Sequence, residues 1–127
     1  MLPQSRLSVL IADDDGLFAR ALEALLDVEP SISIVGCALD GDEAARLAAQ
    51  LLPDVILMDL SMPRVDGFDA TKRIRELVPE TAIVVLTGSR DDADVARAKD
   101  AGAAGYVTKD RILGELVDAI HAAANAA

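Results

Sequence analysis

Leu7-Ser8-Val9-Leu10-Ile11-Ala12 is a nearly unbroken apolar run, and Asp13-Asp14-Asp15 ends it. A strand with one wet face alternates apolar and polar residues. A run that does not alternate reads as a strand covered on both faces, which is the habit of parallel sheets flanked by helices. The pattern recurs at Val55-Ile56-Leu57-Met58 and at Ala82-Ile83-Val84-Val85-Leu86. Two weaker runs, Ile32-Ser33-Ile34-Val35-Gly36-Cys37-Ala38 and Gly105-Tyr106-Val107, bring the number to five.

Helical patterns fill the gaps, over residues 17–27, 41–51, 67–77, 91–101 and 111–123. Buried stripes are expected from Leu17, Leu22, Leu25 and Leu26 in the first, and from Phe68, Ala70, Ile74 and Leu77 in the third. Leu113, Leu116, Val117 and Ile120 are expected to form the stripe of the fifth. Asp15 and Asp40 are expected N-caps. Pro30, Pro53 and Pro79 each fall shortly before a strand, where a helix must already have stopped. Strands alternating with helices of this length predict βαβ units with right-handed crossovers and helices on both sides of one sheet. The expectation is an α/β chain of a single domain, residues 1–127, with its core over about 6–124 and no effector domain.

Composition narrows the function classes. The chain has 127 residues and a formal charge of −10, with 52% hydrophobic and 2% aromatic residues. An acidic, aromatic-poor surface does not suit phosphate backbones or base stacking, so this segment is expected not to bind nucleic acid. Anionic membranes are disfavoured for the same reason. No apolar run approaches the ~18 residues of a membrane span, and Met1-Leu2-Pro3-Gln4-Ser5-Arg6 lacks the charged and long apolar regions of a signal peptide, so none is expected. One cysteine, Cys37, makes no internal disulfide. A cytoplasmic location is expected.

Polar residues stand at the end of four of the five runs. The first run ends in Asp13-Asp14, the third in Asp59, the fourth in Thr87-Gly88-Ser89, and Thr108-Lys109-Asp110 follows the fifth. In a parallel sheet these ends share one edge, the edge where open α/β sheets bind ligands. Carboxylates brought together repel unless a proton or a cation joins them. Hard oxygen ligands suit Mg²⁺. A carboxylate beside that ion can attack phosphorus, while a Lys and a Thr hydroxyl contact phosphoryl oxygens. A bland reading stands beside each part. Asp13-Asp14 can be a capping turn, Asp59 an ordinary strand-end residue, and Lys109 a solvated side chain. No phosphate-binding glycine loop is present, and His121 is the only histidine.

Four motifs, in order and at these strand ends, resemble the receiver domain of bacterial two-component response regulators. They are Leu10-Ile11-Ala12-Asp13-Asp14, Met58-Asp59-Leu60-Ser61-Met62-Pro63-Arg64-Val65-Asp66-Gly67, Val85-Leu86-Thr87-Gly88-Ser89 and Ala104-Gly105-Tyr106-Val107-Thr108-Lys109. The resemblance covers roughly Arg6 to Ala124. It implies a flavodoxin-like (βα)5 fold with strand order 2-1-3-4-5. It implies that Asp59 accepts a phosphoryl group from a sensor histidine kinase. Asp14 then resembles the direct Mg²⁺ ligand, together with Asp59 and the Ser61 carbonyl, and Asp13 acts through water. Thr87 and Lys109 resemble the residues that contact the phosphoryl group. Thr87 and Tyr106 resemble the switch pair that alters the surface of the fourth helix, fifth strand and fifth helix. The family catalyses only its own phosphorylation and dephosphorylation, so an enzyme acting on outside substrates is not expected.

Three places depart from common versions of the family. Asp15-Gly16 follows the acidic pair, and Asp15 is read as a cap. Asp110 follows Lys109 where many receivers carry a cis proline, so the geometry of that bond is open. Lys109-Asp110 is similar to the NarL/LuxR-type branch, whose members carry a C-terminal DNA-binding domain. Small residues, Ser61 and Ser89, stand two places after Asp59 and Thr87. A homodimer and an output through DNA by a further domain are left open. Haloacid-dehalogenase-like phosphatases also form an aspartyl phosphate, but they place a second Asp where Ser61 stands. A degenerate receiver serving only as an interaction module is the third reading. Outside the site, Cys37 is expected to be buried and inert, and His121 to lie on the surface. Arg64, Lys72, Arg73 and Arg75 are expected on a solvated face.

Overall fold

Each long apolar run becomes a strand, and each gap becomes a helix. The structure is a computed structural model and describes residues 6–60, 67–88 and 91–125. The strands are β1 (Leu7–Ala12), β2 (Ile32–Ala38), β3 (Val55–Asp59), β4 (Ala82–Thr87) and β5 (Gly105–Thr108). The helices are α1 (Gly16–Asp27), α2 (Gly41–Leu51), α3 (Gly67–Leu77), α4 (Asp92–Ala101) and α5 (Ile112–Asn125). A 3₁₀ turn at Lys109–Arg111, not anticipated from the sequence, joins β5 to α5. The five strands are parallel, in the order β2-β1-β3-β4-β5.

The unbroken runs are explained by two separate cores. Val9, Ile11, Val55, Leu57, Val84 and Leu86 face α1 and α5, where Leu22, Leu26, Leu116 and Ile120 meet them. Leu10, Ala12, Ile56, Met58, Ile83 and Val85 face the other way, onto Ala44, Ala48, Ala70, Ile74 and Ala98. Successive side chains on a strand point to opposite faces, so both members of each pair must be apolar. β2 lies at the sheet edge, and its burial is correspondingly broken.

Asp15 caps α1, accepting the N–H groups of Leu17 and Phe18, and Asp40 caps α2 through the Glu43 N–H. Several packing expectations need correction. Leu17 is 81% exposed, Leu77 56% and Leu113 87%. At 100° per residue Leu17 lies about 140° from Leu22, so it leaves the stripe that Ala19, Leu22 and Leu26 form. Val78, just past α3, takes the buried place expected of Leu77. Leu113 stands in the first turn of α5 on the rim of a groove of about 280 Å³ that Phe18, Leu25 and Ile112 also line.

Cys37 is exposed rather than buried, because the edge strand carrying it is only partly covered. What burial it has, with the Glu23 charge, still raises its thiol pKa. His121 is half-buried, with Nε2 2.9 Å from Ser31 Oγ. Among the basic residues, Arg73 pairs with Asp42 at 2.9 Å on the surface. Arg75 instead donates to the Pro79 and Thr81 carbonyls and ties the end of α3 to the start of β4. Arg64 lies outside the described residues.

Candidate functional site

β3 and β4 each run one residue further than the apolar pattern, and those last residues are Asp59 and Thr87. β5 likewise ends on Thr108, so Lys109 leaves the sheet at the same edge. Asp13 follows β1 and is held by its own N–H, which donates to the Ala38 carbonyl of β2 at 2.9 Å. Parallel register therefore gathers these residues: Ala12 stands opposite Met58, Asp59 opposite Leu86, and Thr87 opposite Thr108.

Asp13, Asp14 and Asp59 each offer a carboxylate oxygen, all within 4.8 Å of one another. Asp13 and Asp59 are buried, at 1% and 2% exposure, and Asp14 opens to solvent. Asp13 Oδ1 accepts the Asp15 N–H at 2.8 Å. Its Oδ2 is buried with no hydrogen-bond donor. Burial, with the Asp59 charge, pushes the Asp13 carboxyl up to about 6, against the lowering effects of the Asp15 N–H and Lys109. Two buried carboxylates and an orphaned oxygen form a hard-oxygen set with an open side at Asp14. That set fits a divalent cation such as Mg²⁺.

Lys109 Nζ stands 3.5 Å from Asp59 Oδ1, with its side chain 32% exposed. The Phe18 ring centroid is 4.5 Å from the same ammonium. Thr87 is buried, and its side chain shares a hydrogen bond with the half-buried Tyr106 hydroxyl. Burial, helped by the Asp94 and Asp91 charges, raises the Tyr106 pKa, and the Thr87 bond opposes that. The Lys109–Asp110 bond is trans, since the described residues contain no cis peptide.

The structure thus brings together Asp13, Asp14, Asp59 and Lys109, and it joins Thr87 to Tyr106. The Ser61 carbonyl lies outside the described residues, as do Ser89 and the segment Met62-Pro63-Arg64-Val65-Asp66. Three features escaped the sequence reading. Phe18 was placed on no stripe, although its position beside the Asp15 cap puts it next to the acidic pair. Thr108 carries a buried hydroxyl without a hydrogen-bond partner. Gly67 lies so close to β3 that a Cβ there would stand 2.6 Å from the Asp59 carbonyl oxygen.

A family model described as the response regulator receiver domain matches residues 9–121. The transcriptional regulatory protein LiaR of Bacillus subtilis is 44% identical over 115 residues, covering 91% of this chain and 54% of LiaR. A protein-glutamate methylesterase/protein-glutamine glutaminase of Geobacter metallireducens is 46% identical over 100 residues, 79% of this chain and 28% of that protein. The chain spans about half the length of most of the curated relatives it matches. The crystal structure of a LuxR-family two-component response regulator from Aurantimonas sp. SI85-9A1 superposes with a TM-score of 0.91 at 34% identity, covering 96% of this chain and 87% of that one. That likeness agrees with the Lys109-Asp110 signature. Strand order, the acidic edge and a match over nearly the whole length lead to one conclusion: this chain belongs to the response regulator receiver domain family.

Proposed function

We propose that the receiver domain, residues 1–127, takes a phosphoryl group on Asp59 and uses it as a switch. The observation that carries this reading is the pairing of Asp59 with Lys109 at 3.5 Å beside the Asp13–Asp14–Asp59 oxygen cluster. One Asp59 carboxylate oxygen attacks phosphorus in a phosphohistidine of a sensor kinase. The P–N bond breaks, the imidazole leaves with a proton from solvent, and an acyl phosphate remains. Lys109 offers its ammonium to a phosphoryl oxygen, and Thr87 offers its hydroxyl to another. Asp14, Asp59 and the Ser61 carbonyl would hold Mg²⁺ directly, with Asp13 acting through water; the ion would neutralise phosphoryl charge.

Thr87 links that event to the surface, because it already holds the Tyr106 hydroxyl on β5. A phosphoryl group changes the balance only through contacts that differ between two states. Thr87 has a single hydroxyl proton, so donating it to a phosphoryl oxygen withdraws it from the Tyr106 oxygen.

A transcriptional output would run through a DNA-binding domain beyond this segment, as the name of LiaR supports, with a second copy of the chain as a candidate partner. No described helix is long and apolar enough to cross a membrane, and a cytoplasmic site of action fits a kinase-fed switch. The chain is read as a switch rather than a phosphatase, since Ser61 stands where a second catalytic Asp would be needed.

With Mg²⁺ and a small acyl phosphate, intact-mass measurement is expected to show one added phosphoryl group on wild type and none on Asp59→Asn. Equal labelling of the two proteins overturns the assignment. Sustained release of phosphate from simple phosphate esters favours the phosphatase reading instead.

A further inference from the structure

Phe18 owes its place to the start of α1. The capping Asp15 carboxylate accepts the Phe18 N–H at 3.2 Å. Asp15 is itself tied to the acidic cluster, because its N–H donates to Asp13 Oδ1 at 2.8 Å. Leu17 projects into solvent, so the next residue turns toward α5 and packs against the core that α1 and α5 share. Its ring ends 4.5 Å from Lys109 Nζ, which is 3.5 Å from Asp59 Oδ1. A chain of contacts results: Asp13 to Asp15, Asp15 to Phe18, Phe18 to Lys109, and Lys109 to Asp59.

Lys109 needs such a partner. Its ammonium rides on a flexible four-carbon stem and is strongly drawn to water. The 3.5 Å separation from Asp59 exceeds the ~2.7–2.9 Å of a charge-assisted hydrogen bond, so the carboxylate does not hold it alone. An aromatic face within ~6 Å attracts a cation without taking up a carboxylate or phosphoryl contact.

We propose that Phe18 is a positioning residue for phosphoryl transfer, its ring face keeping the Lys109 ammonium beside Asp59 for an incoming phosphoryl oxygen. The inference rests on Asp59 as the acceptor. Phe18 touches no reacting atom and acts only through Lys109.

The test compares labelling rates of the full chain with Mg²⁺ and a small acyl phosphate. The variants are Phe18→Leu, Phe18→Tyr, Lys109→Met and the Phe18→Leu/Lys109→Met double mutant. Phe18→Leu is expected to label roughly threefold more slowly, the size a half-exposed cation–π contact supports. Phe18→Tyr restores the rate, and Phe18→Leu costs nothing further once Lys109 is Met. A merely structural role would slow both backgrounds alike, and that result overturns the proposal. Proton NMR of wild type supplies a readout that needs no variant. The Lys109 ε-methylene is expected upfield of the other lysines because of the Phe18 ring current, and an unshifted signal overturns the proposal. Wild type that takes no label overturns the acceptor reading and this inference with it. Equal rates in a labelled wild type and Phe18→Leu overturn this inference alone.

Discussion

The Thr87 side chain and the Tyr106 hydroxyl share a hydrogen bond between neighbouring strands β4 and β5. Thr87 is buried at the site, and Tyr106 lies half-buried at the margin of the protein. The bond is therefore a direct link from the proposed acceptor site to an outer face.

Breaking that link should separate chemistry from signal. Tyr106→Phe removes one hydrogen bond and is expected to cost about 1 kcal/mol of stability while leaving Asp59 labelling intact. In Thr87→Ala, labelling should slow, because one phosphoryl contact is lost, yet still reach Asp59, and the Tyr106 ring resonances should no longer move when the protein is phosphorylated. NMR of labelled and unlabelled protein checks this. A ring shift as large as in wild type would show that the signal takes another route.

Asp13 predicts a pH dependence whose sign follows from its burial. Its carboxyl rises from 3.8 to about 6 on folding, so between those values the folded protein holds a proton that the unfolded chain has released. Stability from this group therefore falls as pH rises through that window, and the penalty is complete above it. The penalty is on the order of 3 kcal/mol at most. Asp13→Asn is expected to stabilise the metal-free protein at pH 7 and to leave it unchanged near pH 3. Millimolar Mg²⁺ should raise the unfolding temperature of wild type at pH 7 more than that of Asp13→Asn. Urea and thermal unfolding measure both effects, and a metal-free Asp13→Asn that is less stable than wild type at pH 7 contradicts the account.

Gly67 predicts a cost that its exposed neighbours on α3 would not incur. A Cβ there meets the Asp59 carbonyl oxygen at 2.6 Å and Leu60 Cα at 2.7 Å, both backbone atoms that cannot swing aside. Gly67→Ala is expected to destabilise by about 1–3 kcal/mol, the range for forced overpacking. Because the strain falls on Asp59 itself, labelling should slow as well. Urea denaturation and labelling rate together check it, with Lys72→Ala on the exposed face of the same helix as the control.

Much of the fold was legible because one physical signal repeats. Val9 and Leu10 face different cores, so a doubly covered strand must be apolar at every position. The gathering of Asp13, Asp59 and Lys109 was legible for a related reason, since parallel strands end on one edge. Side-chain packing was less legible. Leu17 and Leu113 look like core residues by type, yet each stands where its helix turns away from the sheet or passes its rim. Cys37 looked buried because cysteine usually is, but β2 is an edge strand with an incomplete cover.

By itself the sequence determined the alternation of strands and helices, the two helix caps at Asp15 and Asp40, and the charged residues at the ends of β1, β3 and β5. These depend on local periodicity and on the residue that closes each element. Only the tertiary structure decided that Asp13 Oδ2 is buried without a donor, that Thr87 meets Tyr106, and that Lys109 lies between Phe18 and Asp59. Those contacts join residues from distant parts of the chain. They arise from the register of parallel strands and the packing of α1 beside α5, and no local pattern encodes either one.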